Sequence, residues 1–184
     1  MANIKAKRTN TKVTTGEVRL SYCHLVEPHG MEGQEPKYSV SIIIDKKDTE
    51  TLKCINDAIA EAKESGKTKW NGKIPPVLKT PLRDGDVERP EDEAYQNSYF
   101  LNASSKNKPG LVDKYVNLIT DPMEVYSGCY ARVTLNFYAF NAAGNRGIAC
   151  GLGNVQKLRD GDSLGGATRA ENDFDAIEEE DFLG

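Results

Sequence analysis

Apolar and polar residues alternate along several stretches of this chain and recur at helical spacing along one. Over residues 13–26 the alternation puts Val18, Leu20 and Tyr22 on one face and Glu17, Arg19, Ser21 and Cys23 on the other, as in a half-buried strand. A loop with Pro28, Gly30, Gly33 and Pro36 leads to residues 38–45, where Tyr38, Val40, Ile42 and Ile44 share a face. These two segments predict an antiparallel pair. Leu52, Ile55, Ile59 and Ala62 then fall on one side of a helix, with Asp48 or Thr49 placed to cap its free amides and Gly66 to end it. Residues 67–97 predict a long insertion broken by Pro75, Pro76, Pro81 and Pro90. Short strands follow near 98–104 and 110–117, separated by a basic turn, and then two long ones, 128–141 and 147–158. Strands, one helix and more strands, without βαβ alternation, predict a small closed or nearly closed β-barrel with one helix and long loops. Residues 1–12 read as a flexible basic arm, 13–166 as the folded body, and 167–184 as a linker and tail.

The strand at 128–141 is the most informative by parity. Its odd positions, Cys129 to Ala139, form a continuous apolar face. Its even positions are Tyr130, Arg132, Thr134, Asn136, Tyr138 and Phe140, where a merely solvated face would favour Lys, Glu and Thr. Rings beside a guanidinium and an amide make a platform for unstacked bases, each worth about 1–3 kcal/mol with little sequence preference. The alternative is that Tyr138 and Phe140 pack beneath a loop, Phe140 first. Lys69 and Trp70 form a second basic-aromatic element, in which the ring either stacks on a base or pins its loop to the core. Lys79, Arg83, Lys106 and Lys108 add positive charge on loops, which phosphate binding needs.

Charge changes the picture at the C-terminus. Residues 171–184 hold seven acids and no base, with Phe174, Ile177, Phe182 and Leu183 among them; residues 1–170 hold 24 basic against 21 acidic residues, a net of +3. A basic body with an acidic tail points to a polyanionic ligand for which the tail can compete. No apolar run is long enough for a membrane helix, and the basic N-terminus lacks a signal-peptide core, so the expected location is the cytoplasm. Cys23, Cys54, Cys129 and Cys150 form no CxxC, and Cys23, His24 and His29 match no common zinc spacing; no metal or cofactor is expected. P-loop, dinucleotide, nucleophile-elbow and HExxH motifs are absent, so the chain does not read as an enzyme. A divalent-metal nuclease built on Asp84, Asp86, Glu88, Glu91 and Asp92 is the least favoured alternative.

The run at 127–166 has a Gly-Cys-Tyr opening at Gly128, an Asn-Phe-Tyr-Ala-Phe strand, Gly-Ile-Ala at 147–149, and a closing Asp-Gly-Asp with Leu-Gly-Gly. It resembles phage and prophage single-stranded DNA-binding proteins of the DUF2815 type, distant relatives of the phage T7 single-stranded DNA-binding protein. Lys69-Trp70 and the 81–86 loop extend the likeness over most of the body. The resemblance implies a mainly β, OB-fold-like five-stranded barrel with one helix and long inserted loops, a groove for single-stranded DNA, and a disordered acidic C-terminal tail. That tail would dock replication or recombination proteins of the bacterial host cell or phage through Glu178, Glu179, Glu180, Asp181 and Phe182, although Leu183-Gly184 extends past the aromatic. The expected function is sequence-independent binding of single-stranded DNA in replication and recombination, by a monomer or a homodimer. The competing reading is a protein-interaction module whose tail mimics DNA.

Overall fold

The computed structural model describes residues 4–164 and 174–177; the expected partner-docking residues Glu178 to Phe182 lie outside them. Nine strands form: β1 (Lys7–Thr9), β2 (Lys12–Thr14), β3 (Val18–His29), β4 (Lys37–Asp45), β5 (Arg83–Asp84), β6 (Ser98–Ser105), β7 (Leu111–Val112), β8 (Tyr130–Ala142) and β9 (Asn145–Arg159). The long strands close on themselves in the order β8-β3-β4-β6-β9 and back to β8, a ring of five. Every contact in the ring is antiparallel except β6–β9, which meet in parallel at Ser104 and Gly151. The ring encloses the alternating apolar positions that the sequence predicts, among them Leu20, Ile42, Ile44, Leu101, Val133, Leu135 and Phe137. Each such buried side chain contributes about 1.5–3 kcal/mol.

Helix α1 (Thr49–Ser65) is the expected one: the Asp48 carboxylate accepts from the Thr51 amide at 3.2 Å, and Leu52, Ile55, Ala58, Ile59 and Ala62 are buried. Gly66 donates to the Ala62 carbonyl at φ −92°, so no left-handed turn demands glycine. Close packing does, because a Cβ at Gly66 would lie 2.2 Å from the Cβ of Ala139. The insertion carries a short helix, α2 (Gly85–Glu88), and a turn over Glu93–Tyr95 that lays Tyr95 over Ile43 and Phe100. That cover explains why β4 is buried on both faces.

Four expectations are corrected. Within the arm expected over 1–12, the residues from Lys7 onward are ordered: β1 and β2 form a hairpin, and β2 pairs with β8. The segment 13–26 is two strands, interrupted where the Gly16 amide donates to the Thr51 hydroxyl at the helix start. Tyr22 does not join Val18 and Leu20 inside. Its φ is +46°, the register slips between Ser21 and His24, and the extra residue turns the ring outward. Residues 110–117 are strand only at Leu111–Val112, because the Asp113 carboxylate accepts from the amides of Tyr115 and Asn117 and curls the chain. These amides, Asn117 first, hold the Asp113 carboxyl below its usual range. Among the described residues no helix is long and apolar enough to cross a membrane.

Candidate nucleic-acid interface

Over 148–153, β9 puts Ile148, Cys150 and Leu152 into the core and leaves Ala149, Gly151 and Gly153 on its outer face, while Gly147 is buried beneath the Lys79 backbone. A strand so bare on its outer face makes the floor of a trough. Tyr138 and Asn136 of β8 form one wall, and Ser104 and Ser105 of β6 the other, bounding a cleft of about 460 Å³. The rings lean over the glycines: a Cβ on Gly151 would lie 3.7 Å from Tyr138 Cε1, and one on Gly147 3.0 Å from Phe140 Cε1. Tyr138 remains 44% exposed.

Register extends the floor around the ring. His24 pairs with Ser39, Ser39 with Ser104, Ser104 with Gly151, Gly151 with Asn136, and Asn136 with Lys12. Residues directly paired across strands share a face. The result is one row running across β3, β4, β6, β9, β8 and β2, made only of small, polar or basic residues. At the β6 end, the turn carrying Lys106 and Lys108 is tied to the trough, since the Gly110 amide donates to Asn154 Oδ1 at 2.9 Å. The Asn154 amide in turn donates to the Thr134 hydroxyl at 2.7 Å. At the β2 end, the Thr11 hydroxyl donates to Asn136 Oδ1 at 3.0 Å and exposed Lys12 stands beside it. At the β3 end, the rings of His24 and His29 stack at 4.3 Å. Burial, then the neighbouring His29, hold the His24 imidazole below its ordinary range.

Of the expected contact residues, Asn136, Tyr138, Lys106 and Lys108 gather at this trough, with Lys106 facing Glu35 at 3.5 Å on the surface. The others do not. Tyr130 lies eight residues along β8 from Tyr138, about 27 Å, and is covered by the Arg159 guanidinium 3.7 Å from its ring centroid. Arg132 donates to the carbonyls of Thr15 at 3.0 Å and Lys5 at 2.8 Å, fastening the N-terminal segment. Trp70 is 4% exposed, and its indole donates to the Phe140 carbonyl at 3.1 Å. The loop-anchor role therefore holds for Trp70, and its ring is not presented to a base. Lys69 similarly donates to the Ala139 carbonyl at 2.9 Å. Lys79 reaches Asn145 Oδ1 at 3.2 Å beside the β8–β9 turn, and Arg83 faces Glu88 at 3.7 Å. Both are exposed; Lys79 lies against Gly147 of β9 and Arg83 pairs with Phe100 of β6, each four residues along its strand from the row's Gly151 and Ser104.

Residue-by-residue reading missed Lys12, His24, Ser39, Ser104, Gly151, Gly153 and Asn154. One signal was legible: the alternation Gly-Ile-Ala-Cys-Gly-Leu-Gly over 147–153, apolar inside and nearly side-chain-free outside. The pairings that bring the serines and His24 into line were not.

Asp84, Asp86 and Asp92 of the nuclease alternative are engaged with nearby backbone amides or with Lys46. Lys46 bridges Asp84 at 2.9 Å and Asp86 at 2.7 Å, and Asp92 accepts from the Ala94 amide. No group of three or more His, Cys, Asp or Glu side chains is placed to hold a metal ion among the described residues. Burial pushes the Cys23 thiol up to about 12 and raises that of Cys150, so neither is a nucleophile near neutral pH. The closing signature also has a structural reason. At Gly128, φ +118°, a Cβ would lie 2.0 Å from the Asp162 carbonyl oxygen, so the Gly-Cys-Tyr and Asp-Gly-Asp segments pack backbone to backbone.

Comparison with known proteins gives a family match and a shared fold. The family model described as Enterobacter phage Enc34, ssDNA-binding protein, matches residues 11–183. A protein of Acyrthosiphon pisum secondary endosymbiont phage 1, named putative protein p50, is 32% identical over 187 residues, covering 94% of this chain and 98% of that one. The single-stranded DNA-binding protein of bacteriophage Enc34, solved in complex with ssDNA, superposes with a TM-score of 0.76 at 24% identity, covering 89% of this chain and 99% of that one. Gp2.5, the single-stranded DNA-binding protein encoded by bacteriophage T7, gives 0.60 at 15% identity, covering 97% and 99%.

Proposed function

Because this chain belongs to the Enterobacter phage Enc34 ssDNA-binding protein family, we propose that it binds single-stranded DNA without sequence preference along the trough on β9. The observation that carries this reading is the row from His24 to Lys12, small, polar or basic throughout, with the exposed Tyr138 ring beside it. Bare backbone at Gly151 lets a base or sugar approach closely. Tyr138 supplies a π-face that any base can use, and Asn136, Ser104 and Asn154 offer hydrogen bonds to whichever edge is presented. Lys12, Lys106 and Lys108 meet phosphates, which makes affinity fall with salt. No bond is made or broken; the chain acts by binding.

The acidic residues of 171–184 compete with phosphates for these cations. DNA displaces the tail, and the freed segment, through Glu178, Glu179, Glu180, Asp181 and Phe182, recruits proteins of phage replication or recombination. The decisive experiment titrates fluorescent oligo-dT with the full chain and with a chain lacking 171–184, over a salt series. Both should bind, the shortened chain more tightly at low salt, with the difference closing as salt rises. No binding by either at low salt would refute the DNA reading. Equal affinity of the two would refute tail competition alone.

A further inference from the structure

Tyr22 is the feature that the trough leaves unexplained. It sits in the middle of a long strand at φ +46°, a conformation costly for a bulky residue, yet its ring is 54% exposed and fills no core. Strain of this kind persists at positions where the side chain's placement matters to function. The bulge sends the ring to the outer face: the Arg89 guanidinium lies 5.6 Å from its centroid and 5.4 Å from those of Tyr95 and Phe100, which cover the outside of β4 and β6. Arg89 has no carboxylate partner among the described residues. Of the acids beside it, Glu88 pairs with Arg83 and Asp92 accepts from the Ala94 amide, while Glu91 and Glu93 line the same surface cleft as Arg89.

We propose that Tyr22 and Arg89 form a second nucleotide subsite at the β3 end of the polar row, the ring stacking a base and the guanidinium holding a phosphate. This rests on the DNA reading above and extends it. Arg89 occupies one side of the ring and leaves the other open, so cation and base sandwich the tyrosine. The subsite adjoins His24, the first member of the row, two residues further along the same strand. From β3 to β8 the row crosses four strand spacings, about 19 Å along the curved surface. A DNA strand in contact with both Tyr22 and Tyr138 therefore crosses the strands of the ring rather than running along any one of them.

The test uses Tyr22→Gly, which removes both the ring and the steric penalty of positive φ, and Tyr22→Asn, which removes the ring but tolerates that backbone. Tyr22→Gly should melt at or above the wild-type temperature while its affinity for long oligo-dT falls roughly 5- to 150-fold, the equivalent of one stacked base. Arg89→Gln should lower the salt slope of binding by about 0.7, one phosphate on a single strand. Wild-type affinity in both folded Tyr22 variants, measured beside a weakened Tyr138→Ala, would overturn the subsite and leave the trough standing. Failure of the wild-type chain to bind oligo-dT would instead count against the DNA reading itself.

Discussion

Gly151 separates fold stability from ligand binding more cleanly than any other position. Its backbone lies outside the positive-φ region, and an added Cβ would meet the Asn136 carbonyl oxygen at 3.4 Å, Tyr138 Cε1 at 3.7 Å and Asn136 Cβ at 4.0 Å. Those are ordinary contacts, so Gly151→Ala fits without rearrangement. Reduced freedom of the unfolded chain should then stabilise the protein by about 0.4–1 kcal/mol, a rise of roughly 1–4 °C in melting temperature at this chain length. A longer side chain at the same point rises from the trough floor between Tyr138 and Ser104. Gly151→Leu should therefore remain folded but displace the base from Tyr138, at about 1–3 kcal/mol or roughly 5- to 150-fold in affinity. Gly153→Ala is the structural counterpart: its Cβ would lie 2.2 Å from the Thr134 hydroxyl and 2.9 Å from its carbonyl. It should destabilise by about 1–3 kcal/mol through overpacking. Thermal melts and fluorescence anisotropy with oligo-dT read the two effects separately. A folded Gly151→Leu that binds oligo-dT like the wild type would refute the trough as the binding surface.

Three further outcomes follow from named contacts. Trp70 is the chain's one tryptophan and is buried, so saturating oligo-dT should leave its fluorescence nearly unchanged, and Trp70→Phe should cost about 1–3 kcal/mol of stability through the orphaned Phe140 carbonyl; strong quenching by DNA would show that the ring reaches a base. Arg132→Ala removes the two bonds to the Thr15 and Lys5 carbonyls and should speed amide exchange through residues 5–15, with a loss of about 1.5–3 kcal/mol or less given its partial exposure; unchanged exchange would free the guanidinium for another role. The His24 imidazole is depressed in the folded state by burial and by His29, so the folded chain binds fewer protons than the unfolded one in the window below about pH 6.5. Stability is accordingly full above that pH and lost as pH falls through the folded value; a melting temperature whose acid limb does not flatten in His24→Gln would disprove the assignment.

What the residues determined alone was the order of elements and the direction their apolar faces point. The twofold alternation of β4 and β8 and the helical spacing of Leu52, Ile55, Ile59 and Ala62 are local signals, set by which side of a strand or helix each side chain occupies. The opposition of a basic body and an acidic tail is likewise visible without any fold, since charge needs only counting. The tertiary structure decided which outward residues meet. Asn136 and Tyr138 gained their neighbours when the ring closed and brought Ser104 beside Gly151, a pairing between segments that share no local pattern. Trp70, Lys69 and Arg132 looked equally available in the sequence, but each lies within reach of a backbone carbonyl that burial leaves in need of a donor. Tyr22 shows the limit most plainly. Alternation assigned it to the core beside Val18 and Leu20, and a single extra residue against β4 turned it out to the surface, because a register shift of one reverses the face of a strand.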